Sequence, residues 1–261
     1  MALPGDSTFS SAAPAAVGDT ELFAVDAYRR HFDADVLQAD HDASRVLLSR
    51  TAFFPGGGGQ PCDTGTLTGS AGALTVSRVK REGAGIWHWL AGAAELPESG
   101  AQVSGDLDWD RRHLVMRTHT ALHILCGVIW EEFRIPVTGG NMEVGVGRLD
   151  FPLESMSTEL GARIETRINE EIAAAHDIVV EFLGRDLADA DPALIRTAAN
   201  LIPREIDPLR IINIVGLDKQ ADGGTHVMST AEVGQVRVTG TESKGKGNKR
   251  IRIAVEDLRQ Q

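Results

Sequence analysis

His119 and His123 stand four residues apart in Arg117-Thr118-His119-Thr120-Ala121-Leu122-His123. On an α-helix that spacing puts the two imidazoles one turn apart on one face, where both can reach a single divalent metal. Nearer the other end of the sequence, Asp222 and His226 repeat the spacing in Asp222-Gly223-Gly224-Thr225-His226. The two glycines allow a tight turn and a close approach of backbone to a bound group. Three imidazoles and a carboxylate form a nitrogen and oxygen donor set that suits Zn2+. A metalloprotease would need Glu directly after the first His. Thr120 occupies that position, so the protease reading fails at its catalytic base. Paired helix histidines are more often solvent-facing or hydrogen-bonded than ligating, and it is the Asp222/His226 half that favours a metal.

Those four residues need elements to hold them. Leu114, Val115, Leu122, Leu125, Cys126, Ile129 and Phe133 recur mostly at three- and four-residue steps, which predicts a helix over residues 110–133 with an apolar face beside the histidines. Asp108 or Asp110 can cap its start and Pro136 ends it. Leu160, Ile164, Ile168 and Ile172 form the core stripe of a second helix over residues 154–176, with His176 at its C-terminal end. Upstream, short β-like runs around Val46, Leu67, Val76, Trp87 and Val103 alternate with Gly-rich turns, predicting a small β-barrel over residues 21–107. His88, between two Trp, reads as a packed strand residue. Residues 137–141 read as a turn leading to a strand over residues 144–151. Further strands are expected at residues 178–180, 209–215, 227, 233–239 and 250–255, with a short helix at 192–199. The fold class is α+β. The first 20 residues, small and with little to bury, read as a disordered tail.

Composition sets limits on function. The chain of 261 residues is 42% hydrophobic and 24% charged, as an ordinary globular protein is. Two cysteines, Cys62 and Cys126, argue against a disulfide scaffold and suit a reducing cytoplasm. No apolar run is long enough to span a bilayer, and the N-terminal stretch lacks the basic start and apolar segment of a secretory signal. A net charge of −11 argues against indiscriminate nucleic-acid binding. Neither a membrane nor DNA is an expected partner, and oligomeric state is left open.

Four motifs in order carry a family resemblance: Phe53-Phe54-Pro55-Gly56-Gly57-Gly58-Gly59-Gln60-Pro61 with Asp63 and Gly65 following, the His119/His123 helix, the Gly223-Gly224-Thr225-His226-Val227 turn, and Ser243-Lys244-Gly245-Lys246-Gly247-Asn248-Lys249-Arg250-Ile251. Together they resemble the editing domain of alanyl-tRNA synthetases and, more closely, its free-standing AlaX-type relatives. The resemblance implies a translation-factor-like barrel over residues 21–107. It also implies an α/β sandwich editing domain, of the threonyl/alanyl-tRNA synthetase second-additional-domain type, over residues 108–261. The implied reaction is hydrolysis of Ser, or Gly, mischarged onto tRNA(Ala), with one Zn2+ held by His119, His123, His226 and Asp222. Asp222 departs from the family's usual Cys. It would be a carboxylate ligand or the acceptor for a bound water; without a metal the histidines would position water directly.

The remaining motifs have an ordinary reading and a functional one. Gly57, Gly58, Gly59 and Gln60 suit a flexible barrel connection; no Lys-Ser/Thr follows, so a phosphate loop is disfavoured. With the resemblance, they shape the editing pocket together with Gly223, Gly224 and Thr225. Thr138 and Gly139 lie where editing domains contact the aminoacyl group, making Thr138 a candidate selector of a substrate hydroxyl. Lys244, Lys246, Lys249 and Arg250 suit a solvated turn, or contact with tRNA phosphates, which the resemblance favours. Two rival functions remain: a metal-dependent hydrolase of another small ester, and a non-catalytic tRNA-binding module whose metal site has degraded. Nothing suggests an ATP-dependent aminoacylation domain, so a complete synthetase is not expected.

Overall fold

The computed structural model describes residues 15–70, 72–92, 95–155, 157–196, 202–243, 245 and 247–256. Two short helices come first, α1 (Ala15–Thr20) and α2 (Leu22–Val25). Part of the expected tail is therefore helical: Val17 packs against the barrel core, giving this segment something to bury. Residues 1–14 lie outside the described residues.

Six antiparallel strands follow: β1 (His31–Asp40), β2 (Arg45–Leu48), β3 (Gly65–Gly69), β4 (Gly72–Glu82), β5 (Gly85–Ala91) and β6 (Gln102–Leu107). They close into a barrel in the order β1-β2-β5-β4-β3-β6. Alternation explains which side chains fill it. Phe32, Ala34 and Val36 of β1 point inward to meet Val46, Phe53, Leu67, Val76 and Val103. His88 is buried on β5, where Nε2 lies 2.9 Å from Thr51 Oγ1. Burial pulls its pKa down to about 4, so it is neutral in the barrel wall.

The long helix α3 (Trp109–Phe133) starts where the barrel ends, capped by the Asp108 carboxylate, which accepts the Arg111 N–H. Next come β7 (Gly139–Glu143), β8 (Val146–Phe151), α4 (Thr158–Ala173), β9 (Ile178–Leu183), α5 (Arg185–Asp189), β10 (Leu209–Ile214), β11 (Asp218–Ala221), β12 (Val236–Ser243) and β13 (Lys249–Val255). They build a four-stranded sheet, β12-β13-β8-β7, and a three-stranded one, β11-β10-β9. α3 contacts β7, β8, β13, β11 and α4. It is consequently buried on nearly every side between Val115 and Ile129, not along one apolar face as its sequence suggests.

Several expectations are corrected. Gly139, Gly140 and Asn141 belong to strand β7, because β8 supplies their hydrogen-bonding partners. α4 begins at Thr158 rather than 154, since the Ser157 hydroxyl caps it by accepting the Leu160 N–H. A hairpin strand, β11, separates β10 from the Asp222 turn. Thr230–Val233 is a 3-10 helix closed by a Ser229/Glu232 capping box. Pro192–Leu194 is also 3-10, and residues 197–199 of the expected helix lie outside the described residues. His176 pairs with Glu171 at 2.8 Å. Among the described residues no helix is long and apolar enough to cross a membrane.

A buried ion pair joins helix and barrel. Arg112, in the first turns of α3, is fully buried and Asp63 nearly so. The guanidinium forks onto both Asp63 oxygens and donates to Ala27 O at 2.8 Å and Ala52 O at 2.6 Å. Asp63 also accepts the Phe54 N–H at 2.6 Å. Arg112→Met should lower unfolding free energy by about 3–5 kcal/mol, because it strands a buried carboxylate. Urea titration would show it, and adding Asp63→Asn should recover part of the loss.

Candidate metal centre

Each half of the site is placed by its element. α3 presents His119 and His123 one turn apart, on the side facing β11 and the turn after it. That turn is held by Arg210, whose buried guanidinium donates to Asp222 O at 2.9 Å, Gly224 O at 2.7 Å and Ala24 O at 2.8 Å. Asp222 Oδ2 accepts the Gly224 N–H at 2.7 Å, tightening the turn on itself. Gly224 sits against the helix: a Cβ there would lie 2.4 Å from His119 Cε1 and 2.5 Å from Gln60 Oε1. Close approach, not backbone freedom, is why this position is glycine.

The outcome is compact. One ligand atom from each of His119, His123, Asp222 and His226 lies within 4.8 Å of the others. His226 Nε2 is 3.1 Å from Asp222 Oδ2, and His119 Nε2 is 3.7 Å from Asp222 Oδ1. Every Nδ1 has a partner behind it. His119 Nδ1 is 2.9 Å from Gln60 Oε1, His123 Nδ1 is 3.0 Å from Asp218 Oδ2, and His226 Nδ1 is 3.1 Å from Thr120 Oγ1. The Gln60 orientation is fixed, since Oε1 accepts the Thr225 N–H and Nε2 donates to Thr225 Oγ1. His119 must then donate from Nδ1, and His123 does the same to the Asp218 carboxylate. Their Nε2 lone pairs are left to face the centre, as in ligating histidines. Thr120, a hydroxyl, serves either tautomer of His226.

Electrostatics agrees with a cation site. Burial pulls His119 down to about 4, and burial with the neighbouring His119 takes His226 well below its ordinary value; both stay neutral and able to ligate. Burial acts against ionised Asp222, but the surrounding imidazoles outweigh it and hold the carboxyl well below the usual range. Burial likewise opposes protonation of His123, yet the Asp218 hydrogen bond and charge prevail and raise its pKa. Two buried neutral imidazoles, a third paired with a carboxylate and a carboxylate of their own could hold a metal ion.

The other residues singled out from sequence divide into two groups. Gln60, Gly224 and Thr225 are packed into the centre. Gly57, Gly58 and Gly59 are exposed at positive φ (132°, 58° and 91°), and the Gly59 carbonyl accepts the Met142 N–H of β7 at 3.3 Å. Gly223 is exposed, with open space where a Cβ would stand. Thr138 and Gly139 have partners of their own: the Thr138 hydroxyl meets Asn248 at 3.4 Å and Gly139 pairs with Asp150. Lys249 is buried, with Nζ on Gly245 O, and Arg250 forks onto Asp150 at 2.7 and 2.8 Å. Lys244 and Lys246 lie outside the described residues.

Sequence reasoning missed Asp218, Arg196, Gln220, Thr120 and Arg210. Asp218 is braced by Arg196 Nη1 at 2.6 Å and Gln220 Nε2 at 2.7 Å, and Gln220 also reaches Cys126 Sγ at 3.3 Å. The readable signal was polar residues alternating as Asp218, Gln220 and Asp222 just after an apolar strand.

Two outcomes are expected. If the cluster holds a divalent cation, Asp218→Asn should weaken that affinity about 10–100-fold by releasing His123, measured by competition with a chromophoric chelator. Gly224→Ala should displace His119 and weaken cation binding in the same assay, whereas Gly223→Ala should leave it unchanged.

The comparisons with known proteins agree with this geometry. The family model described as threonyl and alanyl tRNA synthetase second additional domain matches residues 209–252, which span the Asp222/His226 turn. A second, described as tRNA synthetases class II (A), matches residues 20–111. The chain is 36% identical over 238 residues to the alanyl-tRNA editing protein AlaX-M of Saccharolobus solfataricus, covering 90% of this chain and 98% of that protein. It is 33% identical over 242 residues to the AlaX-M of Methanosarcina acetivorans, with the same coverage. Against the alanine–tRNA ligase of Pyrobaculum calidifontis it is 36% identical over 226 residues, 84% of this chain but 25% of the ligase. A match over nearly the whole length of free-standing proteins, and over only a quarter of the ligase, places the chain in the AlaX-type alanyl-tRNA editing family.

Proposed function

We propose that this protein hydrolyses the ester that joins a wrongly attached Ser or Gly to the 3′ end of tRNA(Ala). The observation that carries the reading is the cluster of three imidazoles and one carboxylate within 4.8 Å, in a chain similar to AlaX-M along 98% of that protein's length. In this reading residues 21–107 form a translation-factor-like barrel domain and residues 108–261 the editing domain, with Gln60 as the barrel's contribution to the site.

Zn2+ held by His119, His123, His226 and Asp222 would supply the positive charge that polarises the ester carbonyl. The chain's own residues do the positioning. Gln60 and Asp218 fix the tautomers of His119 and His123 from behind. Asp222, kept ionised, offers an oxygen to a water proton. The exposed Gly57–Gly59 backbone lets an aminoacyl end come close without side chains in the way. An aminoacyl ester is already activated, so holding water and substrate in register supplies much of the rate. Seryl- and glycyl-tRNA(Ala) should be deacylated and alanyl-tRNA(Ala) spared; equal hydrolysis of all three, or of none, would defeat the reading.

Replacement of the family's Cys gives a sharper expectation. A thiolate binds Zn2+ more strongly than a carboxylate, which prefers harder ions. Asp222→Cys should therefore raise zinc affinity and keep deacylation, whereas Asp222→Ala should lower both. The same chelator competition reads the affinities, and a chelator should abolish wild-type deacylation.

A further inference from the structure

The sheet β12-β13-β8-β7 has two faces. α3 and α4 pack on one, which buries Met142, Leu149, Phe151, Ile251 and Ile253. Directly opposed residues share a face, so the register sets Asn141, Arg148, Arg252 and Gly240 in one row across the other. The adjacent row runs Gly139, Asp150, Arg250 and Glu242. Arg148 and Arg252 are thus cross-strand neighbours of like charge, a pairing that costs stability in a sheet. The carboxylates nearby offset it in part: Arg250 takes both Asp150 oxygens, Arg148 reaches Asp150 at 3.3 Å, and Arg252 reaches Glu242 at 2.9 Å. In these two rows three guanidiniums share two carboxylates. The side chains of Arg148 and Arg252 are 29% and 41% exposed.

One end of the row reaches the glycine-rich segment that carries Gln60. Asn141 Cα is 3.7 Å from where a Gly59 Cβ would stand, and Gly59 precedes Gln60, which touches His119. The net charge is −11, so cations set side by side with partly exposed side chains, on the strand pairing that leads to the Gln60 segment, call for an anionic partner. We propose that Arg148 and Arg252 bind the phosphodiester backbone of the tRNA whose 3′ end enters the metal centre. Guanidiniums fork onto phosphate oxygens, and the flanking Asn141 and Gly240 leave the row low enough for a sugar–phosphate chain to lie across it. Neither row holds an aromatic side chain, so the contact positions the RNA and does not read bases. The inference rests on the tRNA deacylase reading above.

The test is the double variant Arg148→Gln/Arg252→Gln, with Arg50→Gln/Arg78→Gln on the barrel as a control of equal charge. Filter binding of tRNA(Ala) across a salt series should show about tenfold weaker binding for the first pair only. Its log–log salt slope should shrink by about 0.7–0.9 per lost contact. KM for seryl-tRNA(Ala) should rise with kcat unchanged. Arg252→Lys, which keeps the charge and loses the fork, should weaken binding and retain the slope, and it serves if the double variant fails to fold. Unchanged affinity and slope in the double variant, unchanged affinity in Arg252→Lys, or equal losses in both pairs would overturn the proposal. Wild-type protein that binds tRNA but hydrolyses none would defeat the deacylase reading and leave the surface standing.

Discussion

A charge pair inside a protein must be complete, since a lone buried ion costs several kcal/mol, and the Arg112–Asp63 pair imposes that requirement between barrel and helix. Asp63 ends the glycine-rich segment and also holds the Phe54 N–H, so both ends of residues 54–63 are anchored to one carboxylate. Gln60 lies within that span and delivers its amide to His119 and Thr225. The same guanidinium fixes the start of α3, from which both helical histidines are counted. One buried pair thus sets the loop and the helix relative to each other, and the His119–Gln60 contact follows.

Arg210 does for the other half what Arg112 does for the first. Among the described residues it donates to carbonyls alone, on Asp222, Gly224 and Ala24, and burial lowers its pKa to about 10, with the Asp222 carboxylate as the opposing charge. Asp222 brings one negative charge when ionised, which the buried guanidinium favours and a divalent cation bound there would favour too. A neutral residue at 222 would leave Arg210 without its counter-charge.

The sequence carried the site's centre more clearly than its surroundings. Helical spacing and the Gly-Gly turn were enough to name the four residues that the structure brings together, because both are local signals. The short alternating runs likewise pointed to a barrel. Asp218 gave only the weaker signal of polar alternation and Arg196 none: Asp218 reaches His123 through the packing of β11 against α3, and Arg196 reaches Asp218 from just beyond the 3-10 segment that packs on β11. Gly139-Gly140-Asn141 has turn composition, and only pairing with β8 makes it a strand. The run of cations from Lys244 to Arg250 looks solvated or RNA-facing by count, yet Arg250 is committed to Asp150, a partner a hundred residues earlier in the chain.

The second layer also bears on whether the site needs its metal to fold. In small zinc modules the unfolded chain has no preformed site, and binding energy is folding energy. Here each imidazole Nδ1 already has a protein partner, Asp222 accepts the Gly224 N–H, and two of the three imidazoles are held neutral by burial. The extensive core around α3 supplies the folding energy, and protein partners orient the four side chains. A bound metal would add stability by mass action, about 4 kcal/mol at a thousandfold excess over Kd.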